Sequence, residues 1–199
     1  MLSYLTCDAG VRQDIWSSMI KRVADSSFNA ITVDGDTSTN DSFLAFSSGE
    51  ALDPKYLPAL ENGLHITAQY LAKAIARDGE GANCLLEIKV EGAKNDLDAR
   101  TIARTISGSS LVKTAIHGFD PNWGRIIAAL GRAGVSFDLK DIQLWIGPYQ
   151  LFAHGMPVKF DRKVVSDYMK EKLNGKYLID DIIDFYNFVV YKYKHMINT

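Results

Sequence analysis

Cysteine is scarce in this chain: Cys7 and Cys84 are the only two among 199 residues. Two thiols make neither a disulfide framework nor a zinc site, and a reducing cytoplasm is the expected compartment. The histidines His65, His117, His154 and His195 lie far apart, and no two have metal-ligand spacing. No sign of charge prevails. The 22 Lys and Arg stand against 24 Asp and Glu, for a net −2, which gives no bulk electrostatic case for binding nucleic acid or an anionic membrane. No apolar run approaches the roughly 20 residues that span a bilayer. The opening Met-Leu-Ser-Tyr-Leu carries no basic segment of a secretory signal. The phosphate loop ending in Lys-Ser/Thr is missing, and so is the Gly-x-Ser-x-Gly elbow. No nucleophile stands visibly beside its base.

What is present is a soluble, mixed pattern. A strand is expected over 2–5, then a helix over 11–25 carrying Val11, Ile15, Trp16, Met19, Ile20 and Val23 on one face. Strands are expected over 28–33 and 42–47, joined as a hairpin by an enlarged loop. Pro54 and Pro58 introduce a long helix over 57–78, striped by Leu60, Leu64, Ala68, Leu71 and Ile75. Further expectations are a strand over 84–90, a helix over 97–106 capped by Asn95 or Asp96, and a strand over 110–116. A helix over 123–133, a hairpin around Gly147-Pro148 and a helix from Asp161 to 173 complete the set. With no repeat and no low-complexity linker, this reads as one α+β unit to about Gly175. From Tyr177 onward aromatic residues crowd a lysine-rich end, a surface that would need a partner to cover it.

Three motifs offer chemistry. Asp34, Gly35, Asp36, Thr37, Ser38, Thr39, Asn40 and Asp41 run without an aliphatic side chain, longer than an ordinary turn. Their side-chain oxygens suit either a solvated turn or a backbone-organising loop near a site. Asp78-Gly79-Glu80-Gly81-Ala82 places one carboxylate between two glycines at a helix end. Close approach by an amine ligand is one reading, and an exposed acid at a helix C-terminus is the other. Asp120-Pro121-Asn122-Trp123-Gly124-Arg125 opens a helix, where Asn122 and Trp123 shape a pocket wall or simply pack the core.

Taken in order, these segments resemble one family. Residues 27–33, Ser-Phe-Asn-Ala-Ile-Thr-Val, run into the polar loop. Arg77-Asp78-Gly79-Glu80-Gly81-Ala82, then Leu111-Val112-Lys113-Thr114-Ala115-Ile116, then Asp120 to Arg125 follow. Together with Met1-Leu2 and Thr6-Cys7-Asp8-Ala9 they resemble the β chain of ornithine acetyltransferase, the bifunctional glutamate N-acetyltransferase of arginine biosynthesis, over about residues 1–181. The resemblance implies an αββα-type sandwich of the self-processing, N-terminal-nucleophile-like kind. It implies a precursor that cuts itself at an Ala-Thr bond and a new N-terminal Thr that carries acetyl from N-acetylornithine to glutamate. The α-amino group of that Thr serves as its base, and an α chain supplies the oxyanion hole. It further implies an α2β2 heterotetramer and no metal or cofactor, with acetyl-CoA as an acetyl donor in bifunctional members. Glu80 matches the substrate-binding glutamate. Asp34 to Asp41 match a family hallmark with a site-shaping role.

Two departures stand beside the match. The family's Thr directly precedes the Met-Leu pair, so the nucleophile is expected just before Met1, outside this sequence; Thr6 lies too far along the strand to replace it. After about Asp181 the family ending is lost, and 182–199 reads as a divergent tail, as from a shifted frame or, second, a lineage-specific ending. The chain alone is therefore expected to be inactive. Two other readings are a catalytically inactive amino-acid-binding fragment and a related self-processing aminopeptidase.

Overall fold

A computed structural model describes residues 1–174, and the backbone of 188–189. Contacts divide the chain into two compact units, Met1–Glu80 and Gly81–Thr199, a division that composition did not signal. The change of character expected at 181–182 lies outside the described residues.

The first unit holds strand β1 (Leu2–Cys7), helix α1 (Gln13–Asp25), strand β2 (Ser42–Ser47) and helix α2 (Leu57–Arg77). β1 and β2 pair in parallel, with Leu2 opposite Ser42 and Cys7 opposite Ser47. Strand alternation divides their side chains between two faces. Leu5, Cys7, Phe43 and Ala45 turn inward onto Trp16, Met19 and Val23 of α1 and Leu64, Ala68 and Ala72 of α2. Leu2, Tyr4, Leu44 and Phe46 take the opposite face and stay 40–61% exposed. The helical spacing read from the sequence thus marks the buried stripes of α1 and α2 correctly.

The hairpin expected around the polar loop does not form. A parallel pair needs a crossover, and after α1 the chain must run back to the start of β1 before β2 can begin. Residues 28–41 make that return. The strand expected over 28–33 is therefore a 3-10 turn, Phe28–Ala30, followed by irregular chain. Its apolar character serves burial instead: Phe28 is buried and its ring lies 4.7 Å from that of Phe43.

The second unit holds β3 (Ile88–Lys89), α3 (Asp96–Ser107), α4 (Ser110–His117), α5 (Trp123–Gly131), the strands β4 (Leu144–Ile146), β5 (Tyr149–Ala153) and β6 (Met156–Pro157), α6 (Arg162–Asn174) and β7 (Phe188–Val189). β4, β5 and β6 form an antiparallel sheet in sequence order, and β3 pairs in parallel with β7. Ile102, Ile106, Val112, Ile126, Leu130, Leu144, Leu151 and Met169 fill its core. Gly147 turns the hairpin at φ +55, under the Tyr168 ring, where a Cβ would collide.

Two expected strands give way to other structure. Residues 110–116 form α4, because Val112, Ala115 and Ile116 recur at i, i+3 and i+4 and are the buried ones. Ser109 caps that helix, accepting from the Val112 N–H. β-branched Val112, Thr114 and Ile116 favour a strand locally, and core packing overrides that preference. Of the strand expected over 84–90, only Ile88–Lys89 pairs.

Candidate functional site

Glu80 stands where the sequence placed it, just beyond α2. Asp78 closes the helix with its N–H donated to Ala74 O at 3.0 Å. Gly81 then takes φ +70, and a Cβ there would meet nothing within 4 Å. Backbone handedness, not crowding, therefore calls for glycine. Glu80 is exposed. Its carboxylate is open to a cationic ligand. Within the second unit, Asn83 Nδ2 lies 2.9 Å from His117 Nδ1 at the end of α4. That tie joins residues 34 positions apart, and no sequence pattern announces it.

The polar loop is exposed throughout and bonds mostly to itself. Asp34 Oδ1 accepts the Asp36 N–H at 2.9 Å, and the Ser38 hydroxyl donates to Asn40 Oδ1 at 2.8 Å. Gly35 at φ +94 makes the turn. The last residue of the loop reaches outward: the Asp41 carboxylate pairs with the terminal ammonium of Met1. Next to it, the Ser42 N–H donates to Met1 O at 3.1 Å. Within the first unit the loop and the start of β1 are thus brought together, which neither segment shows on its own.

Asn122 and Trp123 have structural tasks. Asn122 Oδ1 accepts the Arg125 N–H at 3.2 Å as the cap of α5, and its amide donates to Asp120 Oδ2 at 2.9 Å. Trp123 stacks on Phe152, with centroids 5.5 Å apart. Asp120 also pairs with Arg162 of α6. Arg125 donates to Leu111 O and Thr114 Oγ1 of α4, both at 2.9 Å. The Asp120–Arg125 and Leu111–Ile116 motifs are therefore locked together by hydrogen bonds.

A cleft of about 740 Å³ opens in the first unit between the end of β1 and α2. Thr6, Cys7, Asp8, Leu60, Gly63 and Thr67 are among its lining residues; Glu80 and the polar loop are not. Sequence reading missed it, because it forms from residues more than 50 positions apart. Among the described residues no group of three His, Cys, Asp or Glu could hold a metal ion, and no helix is long and apolar enough to cross a membrane. Burial holds the Cys84 thiol above its ordinary range, away from the reactive thiolate.

The ArgJ family model matches residues 1–179. The chain belongs to the ArgJ family. Among its relatives is the arginine biosynthesis bifunctional protein ArgJ of Prochlorococcus marinus strain NATL2A. It is 75% identical over 183 residues, covering 92% of this chain and 44% of the relative. The ArgJ 1 protein of Nostoc sp. PCC 7120 is 51% identical, covering 92% and 46%. The chain thus spans a little under half the length of these relatives. The crystal structure of the arginine biosynthesis bifunctional protein ArgJ from Bacillus halodurans superposes with a TM-score of 0.84 at 38% identity, covering 96% of this chain and 87% of that one. The α+β class expected from the sequence is thereby shown. Among ArgJ proteins, then, this chain corresponds to one portion of the whole.

Proposed function

We propose that the chain is the β portion of a glutamate N-acetyltransferase/ornithine acetyltransferase of arginine biosynthesis. The observation that carries this is the family match across 1–179 with Glu80 exposed in its glycine turn. In this reading the hydroxyl of a Thr preceding Met1 attacks the acetyl carbonyl of N-acetylornithine. The tetrahedral intermediate collapses, the ornithine amine leaves with a proton, and an acetyl ester stays on the Thr. The glutamate amine then attacks the ester, forming N-acetylglutamate and freeing the hydroxyl. The Glu80 carboxylate pairs with the side-chain ammonium of the bound ornithine moiety, a charge-assisted contact.

The same reading makes an α chain from a common precursor the partner, in an α2β2 assembly in the cytoplasm. It requires no metal or cofactor for recycling, and accepts acetyl-CoA as a second donor. The relatives' names and their greater length support it. Calorimetric titration of ornithine into the chain complexed with the complementary part of the Prochlorococcus relative tests it. Saturable heat that weakens at least about tenfold in Glu80→Gln is expected, in line with the loss of one charged contact. Equal binding by both proteins removes Glu80 from the site.

A further inference from the structure

Helix α2 carries small and apolar residues on two sides. One side is the buried stripe of Leu64, Ala68 and Ala72. The other is a row at i, i+4, i+7 and i+11: Ala59, Gly63, Ile66 and Tyr70. All four are exposed, Ile66 at 61% and Tyr70 at 50%. A helix that meets only water on its outer side carries polar residues there. Gly63 sharpens the point. It stands inside α2, needs no positive φ, and a Cβ there would meet nothing within 4 Å. Glycine weakens a helix interior relative to alanine, and nothing among the described residues calls for it here.

Ala59 and Gly63 also wall the cleft at the end of β1. That helix wall has little to offer a polar ligand, since the Thr67 hydroxyl already donates to Gly63 O at 2.9 Å. The strand wall is an open sheet edge. Among the described residues the sheet holds β1 and β2 alone. Met1 O and Cys7 O accept from the Ser42 and Ser48 N–H groups. By alternation Leu2, Tyr4 and Thr6 turn their backbone groups away from β2, and Thr6 lines the cleft.

We propose that this groove seats an extended segment from the rest of the ArgJ protein, which pairs with the free edge of β1 and lays apolar side chains over Gly63. The occupant follows from length: more than half of the Prochlorococcus relative lies outside its match to this chain. A strand added beside β1 raises alternate side chains toward α2, and the missing Cβ of Gly63 leaves them room. The proposal rests on the reading of this chain as one portion of the transferase, and it names where the other portion docks.

Two measurements test it, both on the chain co-produced with the complementary part of the Prochlorococcus relative. Ile66→Cys places a thiol on the outer row, and peptide mapping follows its alkylation by iodoacetamide. In the chain alone the thiol is expected to react as an open one does; in the complex the rate is expected to fall at least about tenfold, as for a buried thiol. Gly63→Leu fills the space. In the chain alone it is expected to raise Tm by about 2 °C, because glycine is the weaker helix former. In the complex it is expected to speed dissociation about 30-fold, the scale of an overpacked contact.

Alkylation at one rate in chain and complex overturns the proposal, and so does a Gly63→Leu complex as long-lived as the unsubstituted one. A chain that sediments alone as a dimer, and as a monomer once Gly63→Leu is made, assigns the groove to a second copy instead. A Gly63→Leu chain with lowered Tm shows that the glycine serves this chain's own fold, which also overturns it. If the complex forms and depends on Gly63 yet transfers no acetyl, the transferase reading fails and the docking groove stands.

Discussion

The polar loop of the first unit and the Asp120–Arg125 motif of the second unit share a composition. Both are polar and rich in turn-forming residues. In the folded chain they do opposite things. Asp120, Asn122 and Arg125 each bond to another segment or cap a helix, and Trp123 packs on Phe152. The loop from Asp34 to Asp41 is exposed, bonds largely to itself, and reaches out through Asp41 to the start of β1. One motif holds the fold; the other presents groups. A polar motif therefore reads as functional only once the destination of its hydrogen bonds is known.

The sharpest way to set a baseline for that contrast is the core of the second unit. Leu144 and Leu130 are fully buried. Leu144→Ala is expected to cost about 2–5 kcal/mol in urea unfolding, through lost burial and a residual cavity. A smaller cost shows that the sheet collapses onto the gap. Next comes the holding motif itself. Asn122→Ala removes the cap of α5 and is expected to cost about 1 kcal/mol, while Asn122→Asp keeps an acceptor and costs less. The presenting loop should behave differently: Thr37→Ala and Thr39→Ala are expected to stay within about 0.5 kcal/mol. Equal losses in both motifs would erase the comparison.

The smallest effect concerns the pair that joins α1 to α2. Arg22 Nε donates to Glu61 at 2.6 Å. That hydrogen bond holds the Glu61 carboxyl below its ordinary range, against a desolvation that pushes it up. A depressed carboxyl stabilises above its unfolded pKa, and the contribution fades as pH falls through the folded value. Arg22→Ala should lower Tm at neutral pH by about 1 °C and leave it unchanged in strong acid. A difference that persists in acid assigns the effect to packing of the arginine stem instead of the ion pair.

Much of this was legible because apolar periodicity survives folding. α1, α2, α3, α5, α6 and the β4–β5 hairpin lie where spacing and turn residues put them, since Trp16, Met19, Val23, Leu64 and Ala68 obey one helical stripe each. Residues 28–33 and 110–116 were misread for a common reason. A short apolar run says that something is buried, not in which conformation. Parallel pairing of β1 with β2 was hidden because it depends on a crossover, not on any local signal. The exposed turn at Glu80 was legible from the glycines flanking it. The Asp41–Met1 contact and the Asn83–His117 tie join segments 40 and 34 residues apart, and only the fold brings them together.

The most direct measurement follows labelled acetyl from N-acetylornithine to glutamate. The purified 199-residue chain is assayed alone, and again, with a Thr placed ahead of Met1, in complex with the complementary part of a relative. The account predicts no transfer by the chain alone, transfer by the complex, and its loss in Glu80→Ala. Transfer by the chain alone, or a complex indifferent to Glu80, would contradict it.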